Sequence, residues 1–279
     1  MKKSILTIAL AVLALAGATS QASAQTAPAK AQAPANVQAI DLGLPSGLKW
    51  ASCNVGATTS EDYGNYYAWG EVLPKDDYSW ATYKHANGAY NKLTKYCTVA
   101  SYGDDGFTDD KTTLDPEDDA ATANWGEEWR IPTDAEWKEL RTQCTWTWTT
   151  QNGVNGYQVA SQTNGNSIFL PAAGSRDGTA LKGAGTYGNY WYSLLYGYPC
   201  SAWSLDLLSD GIDRTGYFRI YGFSVRPVQE SGTGTGIGCT AAADAATVRK
   251  VLRNGTVLIE RNGVYYDLHG RLLPLTPNL

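Results

Sequence analysis

Histidine is nearly absent from this chain of 279 residues, which contains only His85 and His269. Catalytic triads, Cys-His pairs and histidine-rich metal centres need an imidazole beside a nucleophile or beside further ligands. Neither histidine stands in such a pattern. We therefore expect no catalytic residue, no metal site and no cofactor, and we predict that the chain is not an enzyme.

Basic residues do not outnumber acidic ones. The chain has 22 lysines and arginines against 27 aspartates and glutamates, and its formal net charge is −5. Nucleic acids and anionic membrane surfaces are bound through clustered basic residues. The charge balance therefore argues against nucleic acid and against anionic lipid as partners.

Long apolar runs are missing, apart from one near the N-terminus. Residues 5–15 are apolar, follow Lys2 and Lys3, and precede the small residues 22–24 (ASA). This pattern is typical of a secretory signal peptide, here residues 1–24, and the run is short for a membrane span. A retained anchor is the alternative. We expect no membrane span after cleavage and a secreted, cell-surface or periplasmic location.

The five cysteines are an odd number, so at least one of them has no partner within the chain. An exported chain can form disulfides, but the sequence leaves their pairing open. Cys53, Cys97 and Cys144 stand at the edges of predicted elements, where a buried small residue is the usual role. Cys239 lies in a glycine-rich segment, and we expect it to be the unpaired cysteine.

Composition divides the chain after the signal peptide into segments. Residues 25–39 are rich in alanine, glutamine and proline, which predicts a flexible spacer. Residues 40–230 contain all ten tryptophans and are long enough for one domain with its own core. Residues 231–247 are rich in glycine and alanine and predict a linker.

The last segment, residues 248–279, alternates apolar and polar residues around Asn-Gly pairs at 254–255 and 262–263. Asn-Gly pairs between alternating segments are a strong signal for two-residue β-hairpin turns. This pattern predicts a short β-hairpin tail. The tail resembles C-terminal segments of secreted Bacteroidetes proteins, which suggests a sorting or anchoring role and contact with the export machinery.

The clearest single element is a helix from about Asp134 to about Gln143. Thr133 and Glu136 have the spacing of a capping box, and the preceding proline disfavours an earlier start. Trp137 and Leu140 recur at helical spacing and give one apolar stripe. Their default role is to anchor the core.

Other elements have weaker signals. The residues DPE at 115–117 predict the start of a second short helix, with Asp115 as N-cap, that runs toward Trp125. Residues 172–190 are rich in glycine, serine and threonine and predict a long loop. Turn signals and alternation predict strands within 39–55, 144–149, 157–161, 167–170 and 190–228, with Asp210 and Gly211 at a tip. The fold class is therefore α+β.

Residues 101–119 contain eight acidic side chains. Carboxylates bind calcium, but the segment lacks EF-hand spacing, and the calcium signatures of lectins are also absent. We expect a solvated acidic loop.

Two resemblances concern the central domain. Residues 129–137 (WRIPTDAEW) resemble the RLPTEAEWE segment of the formylglycine-generating, sulfatase-modifying family, which has a C-type-lectin-like fold. Residues 41–55, 67–71 (YAWGE), 167–174 (SIFLPAAG) and 224–228 (SVRPV) resemble the Fibrobacter succinogenes major paralogous domain of secreted Bacteroidetes proteins. The resemblance covers about 40–230 and implies a C-type-lectin-like fold, with two helices packed on small antiparallel sheets.

Tyrosines and polar side chains are concentrated toward the end of this domain. Tyrosine beside adaptable polar residues is the composition of recognition surfaces, although exposed positions of an ordinary sheet would look similar. In related lectin-like proteins that are diversified by retroelements, the last strands hold the variable binding residues. We therefore expect a face that binds a protein or glycan ligand, formed by Tyr190, Tyr192, Tyr196, Tyr198, Asp206, Asp213, Arg214, Tyr217, Arg219 and Tyr221.

Three functions remain open on this sequence. The first is a secreted or surface-displayed, non-catalytic binding module, of which a protein diversified by a retroelement would be a special case. The second is a modifying enzyme like the formylglycine-generating family, although residues 222–227 lack the cysteine that the resemblance would require there. The third is a structural or adhesive surface protein without a discrete site. We expect the first.

Overall fold

A computed structural model of the chain describes residues 31–230 with their side chains, and the backbone of four strands between residues 248 and 273. The predicted signal peptide, the start of the predicted spacer and the predicted linker at 231–247 lie outside the described residues. Contacts divide the chain into two compact units, residues 1–231 and residues 232–279.

In its described residues, the first unit has two α-helices, α1 (Ala120–Trp125) and α2 (Asp134–Gln143). Short 3-10 turns occur at Ala100–Tyr102, Asp104–Gly106 and Pro116–Asp118. The strands are, in chain order, β1 (Ala39–Asp41), β2 (Lys49–Ala51), β3 (Trp129–Arg130), β4 (Cys144–Gln151), β5 (Val154–Ser161), β6 (Ser167–Pro171), β7 (Ser175–Asp177), β8 (Ala180–Lys182), β9 (Gly188–Leu195), β10 (Ser201–Leu208), β11 (Gly211–Phe218) and β12 (Val228–Gln229).

These strands form separate small sheets with the orders β1-β2-β12-β3, β4-β5-β6, β7-β8 and β11-β10-β9. Every pairing between these strands is antiparallel. Two helices combined with several small antiparallel sheets make a mixed architecture, which agrees with the α+β prediction at that level.

Helix α2 confirms the predicted bounds and the predicted cap. The Thr133 side chain accepts from the Glu136 amide, and the Glu136 carboxylate accepts from the Thr133 amide at 2.8 Å. Arg130 donates two hydrogen bonds to the same carboxylate, at 2.8 and 2.6 Å. The cap is therefore fixed by β3 as well as by its own local sequence.

The predicted start of the first helix is right only for a 3-10 turn and is wrong for α1. Residues Pro116–Asp118 form a single 3-10 turn, and α1 begins only at Ala120. Asp119 is the N-cap, because its Oδ1 accepts from the amides of Ala121 and Thr122 at 2.8 and 3.1 Å. Asp115 has proline after it, as an N-cap often does, but its side chain caps nothing.

The predicted strands after α2 are confirmed. Strands β4 and β5 pair from Cys144 with Ser161 to Gln151 with Val154. Asn152 and Gly153 join them and both have positive φ angles, 49° and 85°, as a two-residue type I′ turn requires. Strand β6 then pairs with β5, and β9, β10 and β11 form the three antiparallel strands expected toward the end of the domain.

The long loop predicted at 172–190 is wrong in part. It contains the two-stranded hairpin of β7 and β8, and β9 already begins at Gly188. Each hairpin strand has three residues, too few to show a hydrophobic period. Gly178, at φ 56°, supplies the left-handed backbone conformation within the turn.

The solvated loop predicted for residues 101–119 is also wrong in part. Asp118 and Asp119 are buried. Asp118 accepts from Lys84 at 2.7 Å, from Lys95 at 2.6 Å and from Tyr96 at 2.8 Å. These carboxylates therefore connect the acidic segment to the core, because a buried carboxylate needs partners to offset its lost hydration.

Helix α2 packs through the stripe that its sequence predicted. Trp137 and Leu140 are completely buried against β2, β5, β9 and β10. The Trp137 ring centroid lies 4.7 Å from that of Trp50 and 5.7 Å from that of Tyr192. Replacing Trp137 by alanine would open a cavity at this centre and cost about 3–5 kcal/mol.

In the second unit, four strands form an antiparallel sheet in chain order: β13 (Val248–Arg253), β14 (Thr256–Arg261), β15 (Val264–Tyr266) and β16 (Leu272–Leu273). The register places Arg253 opposite Thr256 and Arg261 opposite Val264, as the predicted hairpins require. The fourth strand, β16, was not predicted, since two residues carry no period.

Within the described part of the chain, no helix is both long enough and apolar enough to cross a membrane.

Candidate functional site

Six of the ten predicted binding residues lie in the β9–β11 sheet, and these six divide between its two faces. Leu205 of β10 lies opposite Tyr190 and Arg214, while the next residue, Asp206, lies opposite Asn189 and Asp213. Adjacent residues of a strand point to opposite faces. The ten residues therefore do not form the single face that the sequence suggested.

Four of the ten, Tyr190, Tyr192, Asp206 and Arg219, are buried, and the expectation that they face solvent is wrong. Two of these four, Tyr190 and Arg219, bind other parts of the chain from inside the molecule. Tyr190 is fully buried and donates to the Pro171 carbonyl at 2.8 Å. Arg219 is fully buried and donates to the carbonyls of Tyr96 and Lys95 at 2.9 and 3.1 Å. Both side chains hold distant segments of the chain together.

Asp206 and Tyr217 belong to a closed polar network on the opposite face of the sheet. The buried Asp206 carboxylate accepts from Asn189 at 2.7 Å, from Ser204 at 3.2 Å and from the Tyr217 hydroxyl at 2.9 Å. Burial raises the pKa of Asp206 against these hydrogen bonds. Its acceptor atoms are occupied by the protein itself.

Asp213 is exposed on that face, and Tyr221 is half-buried, stacked on Phe223 with 6.1 Å between ring centroids. Tyr196 and Tyr198 follow β9, and Tyr198 is 60% exposed. These four residues are exposed or partly exposed. Asp213 and Tyr221 do not line the groove that the last two residues, Tyr192 and Arg214, help to form.

Those two, Tyr192 and Arg214, line a groove between α2 and the β11 edge of the sheet. The groove has a volume of about 530 Å³. Its other lining residues come from α2 and from β11, and they are Asp134, Lys138, Arg141, Thr142 and Ile212.

Helix α2 supplies four of these side chains because of their spacing. Asp134, Lys138, Arg141 and Thr142 are separated by four, three and one residues, so they lie along one stripe of the helix. The stripe is adjacent to the buried one that contains Trp137. The same helix therefore anchors the core and presents polar groups to the groove.

Arg214 is held in place from two sides. Its guanidinium carbon lies 3.3 Å from the centroid of the Trp203 ring, and its Nε lies 2.6 Å from Oδ1 of Asp134. The Arg214 Nε–H makes no hydrogen bond of suitable geometry with a described residue, so the carboxylate holds the guanidinium by charge and the indole holds it by stacking. Its position at the groove wall is thus defined before any ligand binds.

The Tyr192 hydroxyl is buried at the groove and finds no hydrogen-bond partner of suitable geometry among the described residues. Burial raises the pKa of Tyr192 to about 12, against the opposing effect of the nearby Arg141 guanidinium. The hydroxyl is therefore protonated at neutral pH. Arginine can only donate, so the hydroxyl proton lacks an acceptor even beside Arg141.

Charge within the groove is opposite to that of the whole chain. Lys138, Arg141 and Arg214 face one carboxylate, that of Asp134, whereas the chain carries a formal net charge of −5. Among the described residues, no carboxylate forms a salt bridge with Lys138 or Arg141. The groove therefore favours an anionic group.

Aromatic rings continue from the groove wall. The Tyr196 ring lies 4.5 Å from Trp203 and 6.1 Å from Tyr198, measured between centroids. Tyr196 also covers Gly216, where a Cβ would lie 2.4 Å from its ring. Glycine at 216 is thus needed for Tyr196 to lie against β11. We call Tyr196, Tyr198 and Trp203 the aromatic platform.

Among the described residues, the one cluster with the spacing of a metal site consists of Asp115, Glu117 and Asp118. The Lys95 ammonium lies 2.7, 3.3 and 2.6 Å from these three carboxylates. A cation of the protein therefore already stands where a metal ion would bind.

The four described cysteines are free thiols and all are buried, and they are Cys53, Cys97, Cys144 and Cys200. Burial raises the pKa of each thiol, for Cys144 to about 11. A reactive cysteine needs the opposite, a lowered pKa and access to solvent. Cys239, the expected unpaired cysteine, lies outside the described residues.

Sequence reasoning missed the contribution of α2 to this site. Asp134, Lys138, Arg141 and Thr142 were not among the ten predicted binding residues. The signal was present, because Asp134, Lys138 and Arg141 recur at helical spacing. What the sequence lacked was the knowledge that β11 lies against this stripe.

Comparison of the chain with protein-family models, with curated proteins and with solved structures finds no match.

Proposed function

We propose that this chain is a secreted or surface-displayed, non-catalytic binding protein that takes its ligand in the groove between α2 and β11. The observation that carries the proposal is the groove itself. It combines a volume of about 530 Å³ with Arg141, Arg214 and a buried tyrosine hydroxyl that has no hydrogen-bond partner among the described residues. A concave surface with a few convergent polar groups is the usual form of a ligand site.

We further propose the C-type-lectin-like fold and export by the N-terminal signal sequence. The support for the fold is the resemblance of residues 129–137, together with two helices beside small antiparallel sheets. The support for export is the pattern of residues 1–24. A fold of this kind hosts many functions, so the groove and not the fold carries the binding proposal.

The test is to fill the groove and to measure binding on protein and glycan arrays. Thr142 is exposed on α2 and lines the groove, so Thr142→Trp places a large ring in it. Gln143→Trp is the matched control, because Gln143 is the exposed next residue of the same helix and does not line the groove.

We expect wild type and Gln143→Trp to bind the same array members and Thr142→Trp to lose them. Equal binding by all three proteins would place the ligand elsewhere. A wild-type protein that binds nothing on either array would contradict the proposed function itself.

A further inference from the structure

The groove offers more hydrogen-bond donors than the protein uses. Arg141 and Lys138 form no salt bridge with a carboxylate among the described residues, whereas Arg214 is already paired with Asp134 at 2.6 Å. Charge-assisted hydrogen bonds from arginine are strongest to planar anions that match its fork. The free cationic end of the groove is therefore the end at Arg141.

The Tyr192 hydroxyl lies at this same end. It is fully buried, and its proton has no acceptor among the described residues. A buried donor without a partner is unfavourable in the free protein. An oxygen of a bound anion would accept from this hydroxyl and from Arg141 together, which would remove the unfavourable state.

The other groove residues suit hydroxyl groups. Thr142 is exposed with a hydroxyl, and Asp134 keeps one carboxylate oxygen that is not its contact to Arg214. A carboxylate accepts hydrogen bonds and gives none. A ligand that carries hydrogen-bond donors such as hydroxyl groups beside its anionic group would use this free oxygen.

The aromatic platform extends the site beyond the charged groups. Trp203 supports Arg214, Tyr196 lies against Trp203, and Tyr198 is 60% exposed. Aromatic faces with polar edges bind groups that have both apolar and polar surfaces. The C–H face of a sugar ring is such a surface.

We propose that the groove binds an acidic sugar, a uronic acid or a similar sugar residue with a carboxylate, whose carboxylate lies between Arg141 and the Tyr192 hydroxyl. Its hydroxyl groups face Asp134 and Thr142, and a neighbouring sugar packs on the aromatic platform. This inference rests on the proposed function and narrows its ligand class. A peptide C-terminus and a sulfated sugar are the competing anionic ligands, and the first test compares both with the acidic sugars.

The first test compares acidic oligosaccharides with their methyl esters by isothermal titration calorimetry. The probes are oligomers of galacturonate, glucuronate and mannuronate, and sialyllactose, with a sulfated disaccharide and a short peptide as other arms. We expect at least one acidic sugar to bind about tenfold or more tighter than its own ester. Its affinity should fall with added salt, since the pairing is ionic.

Equal binding of every acid and its ester would overturn the carboxylate assignment. Tighter binding of the sulfated sugar or of the peptide than of every acidic sugar would overturn the ligand class. In each of these cases the loss of array binding in Thr142→Trp still decides the proposed function separately.

The second test uses variants that change the site and leave the fold intact. Tyr192→Phe removes a hydroxyl whose proton has no acceptor among the described residues, so the melting temperature should change little, while affinity for the best acidic sugar falls about tenfold. Arg141→Gln should weaken binding to a similar extent. Arg176→Gln is the matched control, because Arg176 lies over Tyr66, outside the groove.

Wild-type affinity in Tyr192→Phe, measured on a protein with an unchanged melting temperature, would overturn the assigned position of the carboxylate. Loss of affinity in Arg176→Gln equal to that in Arg141→Gln would show a general charge effect and would likewise contradict it.

Discussion

The guanidinium of Arg214 on β11 stacks on the indole of Trp203 on β10, with 3.3 Å between the guanidinium carbon and the ring centroid. The same guanidinium lies 2.6 Å from Asp134 at the start of α2. One side chain therefore connects the edge strand, the neighbouring strand and the helix. It also fixes the wall of the groove to which we assign ligand binding.

Arg214→Lys should destabilise the protein by about 1 kcal/mol, because an ammonium keeps the charge but loses the planar stack. A double-mutant cycle of Arg214→Ala with Trp203→Leu, measured by urea unfolding, should give a coupling energy of about 0.5–1.5 kcal/mol. Additive effects of the two substitutions would show that the stack contributes nothing.

Local signals allowed α2 and the β4–β5–β6 hairpins to be predicted from sequence. A capping box, an apolar stripe and an Asn-Gly turn are each complete within a few residues. The start of α1 was missed because the local sequence makes both Asp115 and Asp119 suitable as an N-cap residue. Only Asp119 also has the distant Ile131 amide as a donor, at 2.8 Å.

The candidate site was predicted only in part, for a reason of the same kind. Tyr192, Tyr196, Tyr198 and Arg214 belong to the groove or to the aromatic platform, whereas Tyr190 and Arg219 are internal. The concentration of tyrosines and polar residues correctly indicated the strands that contribute to the groove. Which residues face the groove depends on the register of β9, β10 and β11, which includes an irregularity between Ala202 and Ser204. Shifting a strand by one residue exchanges its faces.

Asp119 is predicted to be a major determinant of stability around α1. Its two carboxylate oxygens accept from the amides of Ala121, Thr122 and Ile131. Asp119→Ala leaves all three buried or half-buried donors without this acceptor and should cost about 3 kcal/mol. Asp119→Asn keeps one acceptor oxygen and should cost less. Urea unfolding of both variants checks this order, and equal costs would contradict the role of the second oxygen.

Arg226 is predicted to be essential for the fold although it has no carboxylate partner in its contacts. It is fully buried and donates to Asn54 Oδ1 at 2.9 Å and to the carbonyls of Ala51 and Phe169 at 3.0 and 2.9 Å. Arg226→Met would leave three buried acceptors unpaired and should cost about 3–5 kcal/mol.

The matched control for Arg226 is Arg176→Met, at a half-buried arginine that contacts the Tyr66 ring. That substitution should cost about 1 kcal/mol or less. Unfolding midpoints that differ by the same amount in both variants would refute the special role of Arg226.

Thiol labelling should separate the binding proposal from the modifying-enzyme alternative. Cys53, Cys97, Cys144 and Cys200 are buried and their pKa values are raised by burial. In a Cys239→Ser variant we expect a thiol reagent to react slowly with the native protein and fully after unfolding in urea. One fast-reacting thiol in the native variant would instead favour an activated cysteine and the enzyme alternative.

Asp118 should make the protein sensitive to acid. Burial opposes its ionisation, but hydrogen bonds from Lys84, Lys95 and Tyr96 outweigh burial and lower the pKa of Asp118 to about 2. The pKa of an aspartate in an unfolded chain is about 3.9. The unfolded state therefore binds the proton first, so the stability contributed by this carboxylate is complete above about pH 4 and is lost as the pH falls toward 2.

Asp118→Asn tests this relationship directly. The variant should be less stable than wild type at pH 7, and its free energy of unfolding should change less between pH 4 and pH 2, measured by urea unfolding at each pH.

His85 lies 3.6 Å from Asp118, and burial lowers the pKa of its imidazole. As the pH falls, the unfolded state therefore takes up the His85 proton first, so the stability of both proteins decreases below about pH 6.5.

The control variant is Asp177→Asn, at an exposed pair with Lys182, and it should change stability little at every pH. If Asp118→Asn loses as much stability between pH 4 and pH 2 as wild type does, other carboxylates control the acid response.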